Sequence, residues 1–117
     1  MKYMLLATEK QEDFDRRTHP VEGRAHVGAW KAYTEALQKA GILVSGAGLQ
    51  PPQTATTVRV RDGKRQIQDG PFAETKELLG GFLIIDVPNL DDALEWAARS
   101  PAAAYASVEV RPVLPPI

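Results

Sequence analysis

The pattern of hydrophobic and polar positions along the chain predicts six strands. Two runs, Tyr3–Thr8 and Leu79–Val87, are apolar with little polar alternation, which is typical of strands that are covered on both faces. Between them, two alternating segments flank Asp62 and Gly63, a dipeptide that favours a two-residue hairpin turn. The predicted strands cover residues 3–8, 42–49, 54–61, 64–69, 79–87 and 107–111.

Two further segments have the spacing of amphipathic helices. The first runs from Val21 to Ala40, and Pro20 before it suits a first helical turn. The second is capped by Asn89 and is expected to end at Pro101. The residues expected on the buried faces are Val27, Trp30, Thr34 and Leu37 in the first helix, and Leu90, Ala93, Leu94 and Ala97 in the second. The polar residues that precede the first helix, through Thr18, predict a surface loop.

The order of these elements predicts an α+β fold in one domain, residues 1–117. It resembles the ferredoxin-like sandwich, in which two helices lie on one face of an antiparallel sheet, here with an added β-hairpin. Two helices cover only one face of a sheet, yet the strands at 3–8 and 79–87 are apolar on both. Because an exposed apolar patch of that size is a liability, we predict a homodimer in which the two sheets face each other.

The composition of the chain excludes several classes of function. There is no cysteine, so disulfides, thiolate nucleophiles and cysteine metal sites are excluded. The 14 basic and 15 acidic residues are well mixed, and the net charge of −1 gives no indication of binding to nucleic acid or to an anionic membrane. No apolar run approaches the roughly 18 residues of a membrane span, and the N-terminus has no export signal, so we expect a cytoplasmic protein.

The segment from Asp69 to Glu77 has a composition that a simple turn does not require, and loops on a rigid scaffold often carry function. A two-residue hairpin loop would place Asp69 opposite Thr56, at the end of a mostly apolar face. Asp69 is therefore a candidate for a raised pKa and acid–base chemistry, or alternatively a turn residue that binds its own backbone. The other candidate residues of this segment are Phe72, which either plugs the loop or stacks on a ligand, and Thr75 and Lys76, which either bind a polar ligand or form a solvated or intersubunit charge cluster.

The first helix carries the second candidate group. His26 is followed by Trp30 at i+4 and Tyr33 at i+7, so the three side chains lie along one flank of the helix. They form either one wall of a pocket, with His26 as acid or base near neutral pH, or a boundary histidine beside core aromatic residues. The chain's two histidines have no carboxylates at ligand spacing, so no metal site and no cofactor are predicted.

Several stretches of the chain resemble the DGPF branch of the YCII-related family. They include Asp69-Gly-Pro-Phe-Ala-Glu-Thr-Lys-Glu77, the segment 55–63, Gly80-Gly-Phe82 and the final segment 108–112. The resemblance implies a dimeric α+β barrel. It also implies acid–base chemistry that uses a histidine of the first helix and an aspartate before a Pro-Phe step. Asp69 matches the aspartate with one inserted glycine, whereas Trp30 stands where the histidine is expected and His26 lies one turn earlier.

Two functions remain open from the sequence. The first is an enzyme, or an enzyme-like protein, that binds a small organic molecule between the first helix and the Asp69 loop without a cofactor. The second is a non-catalytic dimer that binds a regulator through the surface from Glu74 to Glu77. The family resemblance implies an extracytoplasmic-function sigma factor as the partner in that case. The sequence alone does not determine whether the protein is an enzyme.

Overall fold

A computed structural model describes residues 1–71 and 75–116 of the chain. The elements, in chain order, are β1 (Lys2–Lys10), α1 (Gln11–Arg16), α2 (Glu22–Lys39), β2 (Leu43–Gly48), a 3₁₀ turn (Pro52–Thr54), β3 (Thr56–Arg61), β4 (Lys64–Asp69), β5 (Glu77–Asp86), α3 (Leu90–Ala98), α4 (Pro101–Tyr105) and β6 (Val108–Pro112).

The main sheet has the predicted antiparallel, ferredoxin-like arrangement. Its strand order is β2-β5-β1-β6, and each neighbouring pair is antiparallel. The two long apolar strands, β1 and β5, lie in the centre, with Tyr3 opposite Ile85 and Leu5 opposite Leu83. The edge strands β2 and β6 are shorter and contain more polar or small residues. The predicted α+β fold with two main helices is thereby confirmed.

The core lies between the sheet and the helices. Alternate residues of β1, namely Tyr3, Leu5 and Ala7, are buried on the helix-facing side. They pack with helix residues that include Leu37 of α2 and Ala93 of α3. The other side of β1 presents Met4 and Leu6, which are only half-buried.

Several local predictions are corrected by the structure. The polar segment before Thr18 is not a loop, since β1 continues to Lys10 and α1 follows it. The Asp13 side chain accepts a hydrogen bond from the Lys10 backbone N–H (3.0 Å) and thereby caps the start of α1. The buried side chain of Phe14 holds the segment against the core. The pattern predicts Pro101 only as the end of the second helix. In the structure it is the first residue of α4, a position that suits proline.

The buried faces of the two main helices are narrower than predicted. Val27 in α2 and Leu90 and Leu94 in α3 are exposed, whereas Tyr33 joins Leu37 in the core. The buried core contacts of these helices come from Tyr33, Leu37, Ala93 and Ala97, so the other residues of the predicted stripes remain partly or fully exposed. Within residues 1–71 and 75–116, no helix is both long enough and apolar enough to cross a membrane.

The hairpin of β3 and β4 has the predicted register and forms a separate two-stranded sheet. Thr56 pairs with Asp69, and Val58 pairs with Ile67. Asp62 and Gly63 have φ values of 53° and 72°, the left-handed conformations that a tight hairpin turn requires.

The predicted cap of α3 is present and gives a test of local stability. Asn89 Oδ1 accepts a hydrogen bond from the Asp92 backbone N–H at 2.9 Å. Asn89→Ala removes the acceptor, so the free energy of unfolding should fall by about 1 kcal/mol in chemical denaturation. Asn89→Ser keeps a capping oxygen and should lose much less. An equal loss in both variants would contradict the capping role.

Candidate functional site

A cleft of about 760 Å³ lies between α2 and the edge of the sheet formed by β2 and β5. Directly paired residues of antiparallel strands share a face. Gly48 pairs with Gly81, which in turn pairs with the buried Ala7. Gly46 pairs with Leu83, which in turn pairs with the buried Leu5. These glycines therefore occupy positions that face α2. The cleft exists because three positions on the helix-facing side of this edge are glycines and carry no side chain.

Sterics explain glycine at two of these floor positions. A Cβ at Gly46 would lie 2.6 Å from Leu83 Cδ2, and a Cβ at Gly81 would lie 2.8 Å from the Ala47 carbonyl oxygen. Gly48 differs, because a Cβ there would meet no atom within 4 Å. A side chain at position 48 would thus enter the open space of the cleft without disturbing strand packing.

Trp30 forms part of the opposite wall and is held by two other residues. Its indole Nε1–H donates a hydrogen bond to the Tyr105 hydroxyl of α4 at 3.2 Å. Its ring also contacts Tyr33 edge to face, with ring centroids 5.8 Å apart. Trp30 therefore presents a rigid aromatic surface to the cleft.

Both tyrosines behind this wall remain neutral near pH 7. Burial raises the pKa of Tyr33 to about 12, and the hydroxyl of Tyr33 donates a hydrogen bond to the Trp96 carbonyl oxygen at 2.7 Å. Burial also raises the pKa of Tyr105 above its usual value. They support the wall as hydrogen-bonding groups without adding charge to it.

A buried ion pair closes one end of the cleft. Glu9 is only 2% exposed, and Arg17 Nε donates to its Oε2 at 3.1 Å while Arg17 Nη2 donates to its Oε1 at 2.5 Å. Arg17 also donates through Nη1 to the Leu49 carbonyl oxygen and through Nη2, at 3.4 Å, to that of Gly80. One guanidinium thus connects the ends of β1 and β2 with β5.

His26 lies beside this ion pair. Its Nε2 is 3.8 Å from Glu9 Oε1, and its ring centroid is 6.3 Å from that of Tyr105. Burial lowers the pKa of His26 below its ordinary value. Neighbouring charges have smaller effects on this pKa: Glu9 and Asp13 raise it, and Arg17 lowers it. The imidazole is therefore mainly uncharged at neutral pH, as a general base requires.

The structure brings together only part of the predicted site. His26 and Trp30 line one cleft. The expectation that Tyr33 lines it as well is corrected, because Tyr33 is buried in the core and supports Trp30 from behind. Asp69 is exposed on the hairpin and is not among the residues of the cleft.

The remaining predicted residues lie in the segment after the hairpin. Thr75 and Lys76 are exposed, and the Thr75 hydroxyl donates to the main-chain oxygen of Glu77. Phe72, and Glu74 at the start of the predicted contact surface, lie outside the described residues. No observation on this segment tests its predicted role.

Sequence reasoning missed Glu9, Arg17 and Tyr105. A signal for Glu9 was present, because it continues the alternation of Tyr3, Leu5 and Ala7 and therefore faces the helices. Arg17 and Tyr105 gave no comparable signal, since each reaches the site from a short helical segment that the pattern did not predict.

Among the described residues, no group of three or more histidine, aspartate or glutamate side chains is placed to hold a metal ion.

The pKa of His26 predicts how stability depends on pH. The pKa is below 6.5 in the folded chain and near 6.5 in the unfolded chain, so the unfolded chain binds more protons between these values. The free energy of unfolding should therefore fall as the pH is lowered from 6.5 to the folded-state pKa of His26. Urea unfolding should show a smaller fall for His26→Gln than for the unsubstituted protein. Equal falls would contradict the assigned direction.

The chain is similar to known proteins in sequence and in fold. It is 46% identical over 77 residues to an uncharacterised protein of Rhizobium meliloti (strain 1021), a match that covers 64% of this chain and 62% of that protein. Its fold is similar to that of 5-chloro-2-hydroxyhydroquinone dehydrochlorinase from Burkholderia phenoliruptrix AC1100, solved in complex with 2,5-dihydroxybenzoquinone. The TM-score is 0.57 at 16% identity, over 97% of this chain and 94% of that one. A family model for the YCII-related domain matches residues 1–116, and the chain therefore belongs to the YCII-related family.

Proposed function

We propose that this protein binds a small, hydroxylated aromatic or quinone-like molecule in the cleft beneath α2 and acts on it by acid–base chemistry at His26. The observation that carries the proposal is the placement of a mainly uncharged imidazole beside a rigid indole, in a cleft whose floor includes the glycines at positions 46, 48 and 81. Concave sites with an aromatic wall and few polar groups are typical of small-molecule binding.

The chemical class of the ligand is supported by two considerations. The glycines of the floor and the ring of Trp30 suit a planar molecule. The dehydrochlorinase with a similar fold was solved with a hydroxyquinone, which makes that class of compound the first to test. In this proposal His26 accepts a proton from an acidic O–H or C–H group of the ligand and returns it later.

The other predicted site residues are not required by this proposal. Asp69 remains a predicted catalytic residue, but the cleft chemistry at His26 does not depend on it. Thr75, Lys76 and Phe72 likewise remain predicted ligand-binding residues. A regulatory role with a sigma factor stays a prediction from the family resemblance alone.

We also propose that the protein is a homodimer that buries the open face of the main sheet. Met4 and Leu6 of β1 and Phe82 and Ile84 of β5 are paired across the two central strands on the side that has no helix. They are half-buried within one chain. A continuous apolar patch in the centre of a sheet is a typical protein interface.

Ligand binding can be measured through the two tryptophans. Trp30 lines the cleft and Trp96 does not. In a Trp96→Phe variant, hydroxyquinones, beginning with 2,5-dihydroxybenzoquinone, should quench the remaining fluorescence of Trp30 in a saturable way. In the matched Trp30→Phe variant, quenching of Trp96 should not saturate. The absence of saturable quenching by every hydroxyquinone tested would contradict the proposed ligand class.

The location of the ligand can be tested by filling the cleft. Gly48→Val should weaken binding by at least about tenfold, because the new side chain occupies the open space that the ligand needs; that corresponds to roughly 1.4 kcal/mol. Gly28→Val is the matched control, since Gly28 is exposed on α2 and a Cβ there also meets no atom within 4 Å. Equal affinity in the two variants would place the ligand elsewhere.

The dimer can be tested by placing a charge on the open face of the sheet. Leu6→Glu should convert the dimer to a monomer in light scattering coupled to gel filtration, because a carboxylate buried without a partner is strongly unfavourable. Ala32→Glu, at an exposed position of α2, should leave the mass unchanged. A monomeric mass for the unsubstituted protein at all concentrations would contradict the proposal.

A further inference from the structure

Glu9 is the deepest charged group of the cleft, and its position is defined from several sides. It is 2% exposed, whereas the His26 side chain beside it is 18% exposed. An ionised carboxylate is removed from water at this depth only when other groups compensate for the lost hydration. Arg17 supplies that compensation through two donors.

The backbone leaves room for the carboxylate at one position of β5. A Cβ at Gly80 would lie 2.8 Å from Glu9 Oε1 and 2.9 Å from Glu9 Cδ. Glu9 therefore packs directly against the main chain of β5, which restricts its side-chain torsions. With Gly80 on one side and Arg17 on another, the carboxylate has little freedom to move away from His26.

We propose that Glu9 is the positioning residue of His26: its carboxylate is the fixed counter-charge for the imidazolium that forms when His26 accepts a proton from the ligand. This inference rests on the proposed function. His26 Nε2 is 3.8 Å from Glu9 Oε1, so Nε2 is the ring nitrogen that faces the carboxylate. The other ring nitrogen, Nδ1, is then the one that accepts the proton.

The proton step is balanced by these groups alone. The ligand loses a proton from an O–H or C–H group and keeps the bonding electron pair as an anion. Nδ1 of His26 gains the proton, and the positive charge of the imidazolium is stabilised by Glu9 across Nε2–H. Return of the proton to the product, at the same or another atom, restores neutral His26. At 3.8 Å Glu9 acts on the imidazolium as a nearby charge and not as a hydrogen-bond acceptor.

Four groups from other elements surround His26 and determine how readily it is protonated. Glu9 on β1 and Asp13 on α1 favour the imidazolium, whereas Arg17, between α1 and α2, disfavours it. Tyr105 on α4 is a neutral neighbour. Because Arg17 neutralises part of the charge of Glu9, the carboxylate stabilises the imidazolium without making His26 permanently charged.

A purely structural role for the ion pair makes a different prediction. If Arg17 fully neutralises Glu9, so that the ion pair only joins the strands, removal of the Glu9 charge leaves the protonation of His26 unchanged. If Glu9 is the counter-charge, the two titrations are coupled, because an interaction between two charges affects both groups. The coupling is a property of the ligand-free protein and can be measured without knowledge of the substrate.

The experiment is an NMR titration of the two histidine rings in the ligand-free protein. In Glu9→Gln, the midpoint of the His26 titration should move to lower pH. The midpoint of His19, which is exposed and accepts hydrogen bonds from the start of α2, should stay constant. Glu9→Asp, which keeps the charge but withdraws it by one methylene, should give a smaller shift. An unchanged His26 midpoint in a folded Glu9→Gln protein would overturn the inference.

A second measurement requires no change at Glu9 and covers the case in which Glu9→Gln does not fold. In the unsubstituted protein labelled with ¹³C, the side-chain carboxyl signal of Glu9 should show an inflection at the midpoint of His26. The inflection should disappear in His26→Gln. A Glu9 signal that does not move at that midpoint would also overturn the inference.

The ligand assays separate this inference from the proposed function. Coupled titrations in a protein that binds no hydroxyquinone would refute the proposed function and leave the pairing of Glu9 with His26 in place. Uncoupled titrations in a protein that binds the ligand in the cleft would refute the pairing alone. If the titrations are uncoupled and no hydroxyquinone binds, both the pairing of Glu9 with His26 and the proposed function are refuted.

Discussion

The contact between Arg17 and Glu9 is the interaction on which the candidate site depends. A buried carboxylate at the end of β1 is stable only with a partner, and Arg17 meets it with two donors while its other hydrogen bonds reach Leu49 and Gly80. One guanidinium thereby connects the ends of β1 and β2 with β5. The same contact places a negative charge next to His26. The same pair of residues therefore both joins the strands and determines the charge beside His26.

The cleft itself results from missing side chains rather than from a distortion of the fold. A helix packed on a sheet normally leaves no space, because both surfaces carry side chains that interdigitate. Here three of the positions of β2 and β5 below α2 are the glycines Gly46, Gly48 and Gly81, while Leu83 supplies a side chain next to Gly46. The helix keeps its contact with the sheet through Tyr33 and Leu37, at the other part of its length. A regular ferredoxin-like scaffold can thus hold an open site at one edge without loss of its core.

Burial and the charge of Glu9 act in opposite directions on the pKa of His26, the group of the cleft to which proton transfer is assigned. Desolvation lowers the pKa of His26, and Glu9 opposes it more strongly than Asp13 does. The resting imidazole is mainly uncharged near neutral pH, while a nearby carboxylate is ready to stabilise its protonated form. Trp30, fixed by Tyr105 and Tyr33, supplies a flat surface beside it. The rigid groups and the titratable group come from different elements, which only the assembled fold brings together.

The sequence by itself determined the elements whose signals are local. The hairpin register follows from the turn chemistry of Asp62 and Gly63, the α3 cap from Asn89, and the order of the six strands and the two main helices from periodicity. The composition of the candidate site was decided only by the tertiary structure. Glu9, His26 and Arg17 are brought together by the path of α1 and the start of α2, which no periodic pattern encodes. Asp69 lies outside the cleft within one chain for the same reason, since a register defines neighbours in a ribbon but not where that ribbon lies relative to the helices.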